Sequence, residues 1–272
     1  MASKHKKGAT GSVLSKSSFA ESLHAIAHRF SRHTVFDDFL TLAMTSCTQD
    51  PGTGKSWYED EYLATIAKYK DSDLRHEFPK AFACLVQEME NRYDAQEGND
   101  VLGEFFEQHI SNGRNGQYFT PFPVCTMMAT MTLDRTTGKP PQRILDPTCG
   151  SGRMLIAVAK VCGPDNEYYG IDIDRVCVKM TALNLFLNGI FNSEIMCANA
   201  LFPDDFVIAY KISFLPFGIF KIEKKEDSRL WHLQKNSFEK KTTGTSLEIT
   251  LDQTPFEVRK KDDSVQLELF DL

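Results

Sequence analysis

The sequence predicts an α/β fold, in which a helical segment is followed by a unit of strand, tight turn, helix and second strand. Two observations predict it. Apolar residues recur with helical spacing from residue 18 to about residue 107. Residues 142–174 then contain a short apolar stretch, two closely spaced glycines, a helical apolar pattern and a second apolar stretch, in that order. Such a succession is typical of parallel strands that are joined by helices.

Composition and charge exclude several classes of protein. The 272 residues are 42% hydrophobic, which is enough for a principal domain and a smaller one. The net charge of −6 argues against a generally basic nucleic-acid binder, so any DNA contact would use a local patch or the surface of a partner. No apolar run reaches the length of a membrane span, and the N-terminus lacks a secretory h-region. We therefore expect no membrane contact.

The seven cysteines are scattered without a C-x-x-C pair, which argues against disulfides and zinc ligation. Four of them, Cys149, Cys162, Cys177 and Cys197, fall within predicted core elements, where a thiol acts as a small apolar filler. This usage is typical of a reducing cytosol, and no metal site is expected.

The chain begins with a basic tail and a helical region. We expect residues 1–17, which are rich in Lys, Ser and Gly, to be disordered and solvated; a tail that contacts a nucleic-acid phosphate is the alternative. Residues 18–110 are predicted to form a helical domain of their own, because four apolar stripes recur at helical spacing. The stripes are Phe19, Leu23, Ile26 and Phe30; Phe36, Phe39, Leu40 and Met44; Trp57, Tyr62, Leu63 and Ile66; and Phe82, Leu85, Val86 and Met89.

Residues 51–56, Pro-Gly-Thr-Gly-Lys-Ser, end like a phosphate-binding P-loop. That motif requires a glycine where Gln49 stands, and a strand should precede it. We therefore predict an ordinary turn.

A tight turn follows the first predicted strand, where Gly150 and Gly152 allow the backbone to approach a ligand closely. It is not a dinucleotide fingerprint, which needs a glycine where Leu155 stands, and no phosphate-gripping Lys follows it. Asp172, at the carboxyl end of the second strand, can accept hydrogen bonds from both hydroxyls of a ribose. With Asp146 before the turn, the pattern suits S-adenosylmethionine, which has a ribose and a cationic amino-acid end but no phosphate. An ordinary turn with helix-capping residues is the alternative.

An aromatic loop precedes this unit. Tyr118 and Phe119 follow a glycine-containing stretch, and Pro123 lies just inside the next predicted helix. Such a loop can cover a flat ligand such as adenosine; a loop pinned by buried Tyr118 and Phe119 is the alternative. The helix that follows carries Val124, Met127, Met128 and Met131.

Three segments occur in one order with compact spacing: Gly-Gln-Tyr-Phe-Thr-Pro at 116–121, Asp-Pro-Thr-Cys-Gly-Ser-Gly at 146–152 and Tyr-Gly-Ile-Asp-Ile-Asp at 169–174. Together they resemble the methylation (M) subunits of type I restriction–modification systems, and more broadly the adenine-N6 DNA methyltransferases whose cofactor motifs precede the catalytic motif. The resemblance covers roughly residues 100–218. It implies a Rossmann-like S-adenosylmethionine-dependent methyltransferase domain at residues 111–220, in a bacterial, cytoplasmic restriction–modification system.

The resemblance also implies which residues hold the cofactor. Asp146, Gly150 and Gly152 would surround its methionine part. Asp172 would hold the ribose, and Ile173 would pack on the adenine. The other implied cofactor positions are the loop residues Phe119, Thr120 and Pro121 and a short polar motif at Asn199 and Ala200. For this polar motif, a capping or turn asparagine is the alternative.

The catalytic motif of the family, Asn/Asp-Pro-Pro-Phe/Tyr, is expected at the end of a fourth strand. Its first side chain accepts hydrogen bonds from the target N6 amine, and its aromatic ring stacks on the flipped-out adenine. This chain reads Phe214-Leu215-Pro216-Phe217, so Phe217 keeps the stacking aromatic while Phe214 replaces the amine acceptor. Phe214 and Leu215 as plain strand core are the alternative.

The resemblance therefore predicts an adenine-N6 DNA methyltransferase with Phe214, Pro216 and Phe217 as a degenerate catalytic motif. A catalytically impaired cofactor-binding or interaction protein derived from such an enzyme is the alternative, and a methyltransferase for protein or RNA is a third hypothesis. The expected partners are DNA and a specificity subunit.

Residues 221–272 are predicted to be a charged C-terminal segment, with a hairpin pattern at 247–258 and an exposed tail. The tail sequence from Gln266 to Phe270, Gln-Leu-Glu-Leu-Phe, resembles the pentapeptide with which many bacterial proteins dock on the replication sliding clamp. A terminal strand that packs on the domain is the alternative.

Overall fold

The computed structural model describes residues 18–50, 52–54, 56–92, 99–111, 118–133, 141–202 and 204–244. The basic tail, the hairpin pattern at 247–258 and the terminal pentapeptide lie outside the described residues. Helices make up the first part of the described chain. They are α1, Phe19–Ala27; α2, Arg32–Ser46; α3, Glu59–Ile66; α4, Ser72–Asn91; and α5, Val101–Phe105, which continues as a π-helical turn over Phe106–Ser111.

A mixed five-stranded sheet with helices on both faces follows. Its elements are α6, Phe122–Thr132; β1, Arg143–Asp146; α7, Arg153–Cys162; β2, Glu167–Asp172; α8, Arg175–Leu187; β3, Ser193–Cys197; β4, Ile208–Ser213; β5, Gly218–Ile222; and α9, Arg229–Gly244. The strand order is β1-β2-β3-β4-β5, with the first three strands parallel and the last two antiparallel to their neighbours. The α/β class and the predicted unit of strand, turn, helix and strand are confirmed.

The strand directions give the sheet two chemically different ends. Asp146 closes β1 and Asp172 closes β2, and these two parallel strands are neighbours, so both carboxylates lie at what we call the carboxyl end of the sheet. β4 runs back along β3, so that Ile212 lies opposite Ser193, the first residue of β3. The turn of residues 214–217, which joins β4 to β5, therefore lies at the opposite, amino end.

One hydrophobic core extends through both predicted domains. The helix α8 lies between the sheet and the helices α2 and α5, and its buried residues include apolar ones. Among them are Val178, Ala182, Leu185 and Phe186. Phe36 and Leu40 of α2 belong to the same core as Ile195 of β3, so the boundary predicted at residue 110 does not separate two cores. On the other face, α9 covers Tyr169 and Met196 with Leu230 and Trp231.

The first two helical stripes are buried as predicted, except that Phe30 is only partly buried. The prediction that the third stripe is buried is wrong for Trp57 and Leu63, which are 53% and 52% exposed. Trp57 precedes α3 and meets the ring of Phe220 edge-on, with 5.1 Å between the ring centroids. Val86 of the fourth stripe is 42% exposed, because the buried face of α4 runs through Phe78, Ala81, Leu85 and Met89.

The first strand, β1, is not a buried strand although its two central residues are apolar. Within the described residues, β1 pairs with β2 on one side and forms the edge of the sheet. Arg143 is exposed and Leu145 is 50% exposed. An apolar run identifies a strand, but it does not tell which strand ends a sheet.

The described residues of the P-loop-like sequence, 52–54 and 56, belong to an ordinary turn, as predicted. Gln49 and Ser56 form an isolated β-bridge that closes it. Asp50 accepts the backbone N–H of Gly52 at 2.8 Å and the hydroxyl of Thr53 at 3.1 Å. The element before it is the helix α2, not a strand.

No disulfide joins the seven cysteines, all of which lie in the described residues. Cys149, Cys177 and Cys197 are buried, and Cys162 is partly buried, as fillers of the predicted core elements. Burial raises the pKa of the Cys197 thiol to about 11. In the described part of the chain, no helix combines the length and the apolar character that a bilayer crossing needs.

A buried polar network ties the helical segment to the sheet. Asp100, just before α5, accepts the backbone N–H of Gly103 at 2.8 Å and the hydroxyl of Ser151 at 2.6 Å. It also accepts the side-chain amide of Asn184 at 2.7 Å and the guanidinium of Arg153 at 2.8 Å. The side chains of Asp100 and Arg153 are 3% and 10% exposed. A carboxylate that is buried to this degree is tolerated because its oxygens are matched by donors.

Removing the carboxylate should destabilise the fold. Asp100→Ala leaves the buried guanidinium of Arg153 without the more deeply buried of its two carboxylate partners. We therefore expect the free energy of unfolding to fall by about 3–5 kcal/mol. Urea denaturation followed by circular dichroism measures the change. The control is Arg29→Ala, which breaks an exposed ion pair with Asp71 (3.0 Å) and should cost less than about 1 kcal/mol. Similar small losses in both variants would contradict the structural role of the network.

Candidate functional site

A cleft of about 1110 Å³ opens at the carboxyl end of the sheet. Its walls are formed by residues 118–120, the turn at 148–151, the ends of β1 and β2, and the first turns of α7 and α8, together with side chains of α2, α3 and β4. Lys179 on one wall pairs with Asp37 on another, with 2.6 Å between the ammonium nitrogen and the carboxylate oxygen. The predicted cofactor residues that line it are Phe119, Thr120, Asp146, Gly150, Asp172 and Ile173.

The glycine turn is shaped by its neighbours. The backbone N–H of Cys149 donates to the carbonyl of Ile171 at 2.8 Å, and the hydroxyl of Thr181 donates to the carbonyl of Gly150 at 2.8 Å. Gly150 has a φ of +55°, and a Cβ placed on it would lie 2.7 Å from the ring of Phe119. Both the left-handed backbone and the close approach of this ring require glycine.

Asp172 is fixed by backbone donors. One carboxylate oxygen accepts the N–H of Gly150 and the other accepts the N–H of Asp174, both at 2.9 Å. A carboxylate offers about four lone-pair positions, so two acceptor positions remain on a group that lines the cleft. Burial raises the pKa of Asp172 against the opposing effect of these backbone hydrogen bonds. Ile173, the next residue, is 76% exposed.

Asp146 is another carboxylate that lines the cleft. Burial raises its pKa, the backbone N–H of Thr148 at 3.1 Å lowers it, and the charge of Asp172 raises it further. Two carboxyl groups with raised pKa values on one wall favour a cationic ligand group, because a positive charge between them stabilises both ionised forms.

The aromatic loop lies over the glycine turn. The ring of Phe119 stacks on Phe106, with 5.7 Å between the centroids and 23° between the planes. Tyr118 is 77% exposed, so the interpretation of a loop pinned by both aromatic rings is right for Phe119 and wrong for Tyr118. The described loop residues are thus anchored at Phe119 and open at Tyr118.

Two acidic groups and one guanidinium hold the described end of this loop. Glu107 accepts the backbone N–H of Phe119 at 2.8 Å and the guanidinium of Arg153 at 3.1 Å. Arg153 also donates to the carbonyl of Thr120 at 3.2 Å. Burial alone would lower the pKa of Arg153, but the charges and hydrogen bonds of Asp100 and Glu107 raise it, so the guanidinium stays charged.

The sequence interpretation missed Asp100, Glu107 and Arg153. Asp100 carries one local signal, since an aspartate three residues before Gly103 is a helix N-cap. Glu107 and Arg153 carry none, because a charged residue in an amphipathic helix is normally solvated.

Several predicted cofactor residues lie outside the walls of the cleft. Gly152 is the left-handed N-cap of α7, and a Cβ there would lie 2.9 Å from the side chain of Thr181. Pro121 is the N-cap of α6. The carbonyl of Ala200 accepts the side-chain amide of Gln234 at 2.8 Å. The roles of these residues toward a cofactor stay predictions.

Asn199 adopts the alternative that the sequence left open. Its side-chain oxygen accepts the backbone N–H of Leu201 at 3.0 Å, and its own N–H donates to Asp205 at 2.8 Å. It is a turn residue just after β3, outside the walls of the cleft.

The degenerate catalytic motif is not brought to the cleft, and this corrects the expected placement of Phe214, Pro216 and Phe217. These residues form the turn between β4 and β5 at the amino end of the sheet, because β4 runs antiparallel to β3. The ring of Phe217 packs on Phe186 at 4.9 Å between centroids, and that of Phe214 packs on Phe191 at 5.4 Å. Phe214 is nevertheless 60% exposed, so it is not plain strand core either.

No group of three or more His, Cys, Asp or Glu side chains with the geometry of a metal site occurs in the described residues.

Comparison with known proteins places the chain in a family. The N-6 DNA Methylase family model matches residues 97–243, and so extends beyond the region 100–218 in which the resemblance is visible by motif. A type I restriction enzyme MpnII methylase subunit from Mycoplasma pneumoniae is 22% identical over 176 residues, which cover 61% of this chain and 32% of the relative. A type I restriction enzyme MjaVIII methylase subunit from Methanocaldococcus jannaschii is 31% identical over 117 residues, covering 39% and 20%.

The type II restriction enzyme and methyltransferase RM.BcgI from Heyndrickxia coagulans is 25% identical over 147 residues, covering 47% of this chain and 22% of the relative. The chain thus spans about a third or less of the length of these curated relatives. A solved type I restriction-modification methyltransferase subunit from Streptococcus thermophilus is similar at a TM-score of 0.33 and 16% identity, over 65% of this chain and 56% of that chain. Because the family model matches more than half of its residues, the chain belongs to the N-6 DNA Methylase family.

Proposed function

We propose that this chain binds S-adenosylmethionine, or its demethylated product, in the cleft at the carboxyl end of the sheet, as part of a DNA adenine-methylation system in the cytosol. The observation that carries the proposal is the carboxylate of Asp172. It is oriented by the N–H groups of Gly150 and Asp174, lines the cleft, and keeps acceptor positions for two hydroxyls.

The other walls fit the remaining parts of this cofactor. The exposed side chain of Ile173 offers an apolar surface to the adenine, next to the ribose position. Asp146 offers a carboxylate to the cationic amino-acid end, and the loop residues Phe119 and Thr120 would close the cleft from above. When bound, S-adenosylmethionine supplies a methyl group for transfer from its sulfonium to the adenine N6. The chain's residues contribute binding and orientation.

The placement of the degenerate motif supports a second candidate function, a cofactor-binding protein that does not itself methylate. Phe214 offers no acceptor for the target amine, and the turn that carries it lies at the end of the sheet away from the cleft. A methyltransferase acting on protein or RNA would need the same cofactor cleft, and no contact in the described residues favours it.

The proposed partners are DNA and a specificity subunit. With a net charge of −6, the chain would reach DNA chiefly through the surface of its partner. A third proposed contact is a sliding clamp that binds Gln266 to Phe270, which lie outside the described residues.

The first prediction tests the cofactor. Calorimetry should detect binding of S-adenosylmethionine or its demethylated product, and Asp172→Ala should weaken it by about 1–3 kcal/mol because the ribose hydroxyls lose their acceptor. Asp165→Ala, an exposed carboxylate outside the cleft walls, is the matched control and should bind normally. Absence of heat with either ligand on folded protein would reject the proposed function, whereas unchanged affinity in Asp172→Ala would reject the ribose role.

The pH dependence of that affinity gives a second readout on Asp172. The ionised carboxylate accepts the hydroxyls, so affinity is lost as the pH falls through its pKa. Because burial raises this pKa above 3.8, the loss should begin at a higher pH than for an ordinary aspartate. Asp172→Asn should bind more weakly at neutral pH and show a flatter profile, with the remaining slope due to Asp146.

The second prediction concerns catalysis. With labelled cofactor and mixed-sequence DNA, the purified chain should methylate at least about 10²-fold more slowly than an adenine methyltransferase with an intact motif, because the acceptor for the amine is missing. Rebuilding the turn as Phe214→Asn with Leu215→Pro should not restore activity, since the turn is at the wrong end of the sheet. Restored activity would show that residues 214–217 do reach the cofactor.

The third prediction concerns the clamp. The chain of residues 1–272 should retain a bacterial sliding clamp in a pull-down, and deletion of 266–272 should abolish retention. Leu269→Ala should act like the deletion because it removes an apolar anchor. Asp271→Ala, just outside the pentapeptide, is the control that should leave binding intact. Retention that survives the deletion would end the idea.

A further inference from the structure

We propose that Glu107 and Arg153 form a latch that positions Phe119 and Thr120 over the glycine turn and thereby sets how long a cofactor stays in the cleft. This inference rests on the proposed function, since it assigns positioning residues to the same cleft. Arg153 lines the cleft and Glu107 does not, and neither is assigned to the ribose, the adenine or the methionine part. Both act through the loop that they hold.

Glu107 is the first half of the latch. It lies in the π-helical turn over Phe106–Ser111, and its two carboxylate oxygens have different partners. One accepts the backbone N–H of Phe119 at 2.8 Å, and the other accepts a guanidinium N–H of Arg153 at 3.1 Å. A single carboxylate therefore fixes the loop backbone and the cation that also contacts the loop.

Arg153 is the other half. Its three donor nitrogens go to three different acceptors: the carboxylate of Asp100 at 2.8 Å, the carboxylate of Glu107 at 3.1 Å and the carbonyl of Thr120 at 3.2 Å. The planar fork of arginine matches such a set, and the single ammonium of lysine does not. The guanidinium carbon also lies 5.8 Å from the centroid of the Phe119 ring.

The latch decides where the Phe119 ring lies. That ring is placed between the backbone of Gly150, which it approaches so closely that a Cβ would not fit, and the ring of Phe106. Thr120, the next residue, is exposed and lines the cleft. Phe119 and Thr120 can leave the cleft only when their hydrogen bonds to Glu107 and Arg153 break. This is the sense in which the pair is a latch.

The two acidic partners of Arg153 differ in what their loss should change: the stability of the fold for Asp100, and the position of the loop for Glu107. Asp100 is 3% exposed and holds the glycine turn and α8 as well, so its loss affects the whole fold. Glu107 is 28% exposed and holds the loop. A change at Glu107 leaves the buried Asp100–Arg153 pair in place, which makes Glu107 the residue on which the proposal is tested.

The experiment compares Glu107→Ala with Glu107→Gln and with Glu104→Gln. Glu104 is less than one helical turn before Glu107 and pairs with Arg92 at 2.6 Å. Its side chain is 36% exposed, close to the exposure of Glu107, and it has no hydrogen bond to residues 118–120. The first readout is hydrogen exchange of the Phe119 amide in ligand-free protein. We expect exchange at least about tenfold faster in Glu107→Ala, because a hydrogen bond to a charged acceptor is lost. Exchange should be unchanged in Glu104→Gln.

The second readout is the dissociation rate of the demethylated cofactor, measured by displacement with excess S-adenosylmethionine. It should rise about tenfold in Glu107→Ala, rise less in Glu107→Gln, whose side-chain oxygen still accepts the Phe119 N–H, and stay unchanged in Glu104→Gln. A general loss of stability would not produce this order of dissociation rates among the three variants. Thermal denaturation of all three variants supplies the stability comparison.

Three outcomes overturn the inference. Unchanged Phe119 exchange in Glu107→Ala, in a chain that binds cofactor, overturns the latch and leaves the proposed function standing. Faster exchange with an unchanged dissociation rate overturns its role toward the cofactor. Faster exchange in Glu107→Ala, when the unaltered chain binds no cofactor, overturns the proposed function itself and with it the positioning role.

Discussion

The geometry of this molecule depends on one buried carboxylate, that of Asp100. It joins the start of α5, the glycine turn, the start of α7 and the C-terminal half of α8 through four hydrogen bonds of 2.6–2.8 Å. A buried charge is costly unless every oxygen is matched, so the four donors must keep their positions together. Because Arg153 is one of them, the same carboxylate also fixes the cation that reaches Thr120. The shape of the cleft depends on this arrangement.

The parts of the fold that could be predicted are those that short stretches of sequence determine locally. The strand, turn and helix from β1 to α8 follow from apolar periodicity, from two glycines and from capping aspartates such as Asp174. The place of Asp172 at the end of β2 follows from the same local pattern. The direction of β4 does not, because a strand has the same alternation of side chains whichever way it runs. The expected delivery of Phe214 to the cleft therefore failed on the direction of this strand.

The missed site residues have a common cause. Arg153 and Asp100 are 53 residues apart, and Arg153 and Glu107 are 46 apart, so no spacing rule connects them. Each taken singly looks like a solvated charge at the end of a short helix. Their burial follows from the packing of α5 and of the π-helical turn beside the glycine turn, which depends on long-range contacts. Sequence reasoning found the group proposed to touch the ligand, Asp172, and missed the groups that orient the loop above it.

The two ends of the sheet separate cofactor binding from the aromatic turn. The turn at 214–217 and the cleft are divided by the length of β3, which at ~3.3 Å per residue is about 13 Å over its five residues. That distance exceeds the reach of any side chain at position 214, whether phenylalanine or asparagine. A methyl acceptor in the cleft would therefore meet the polar groups of α2, α3 and β4, such as Asp37 and Tyr210, rather than the motif. The cofactor binding proposed for the cleft therefore does not depend on the motif at residues 214–217.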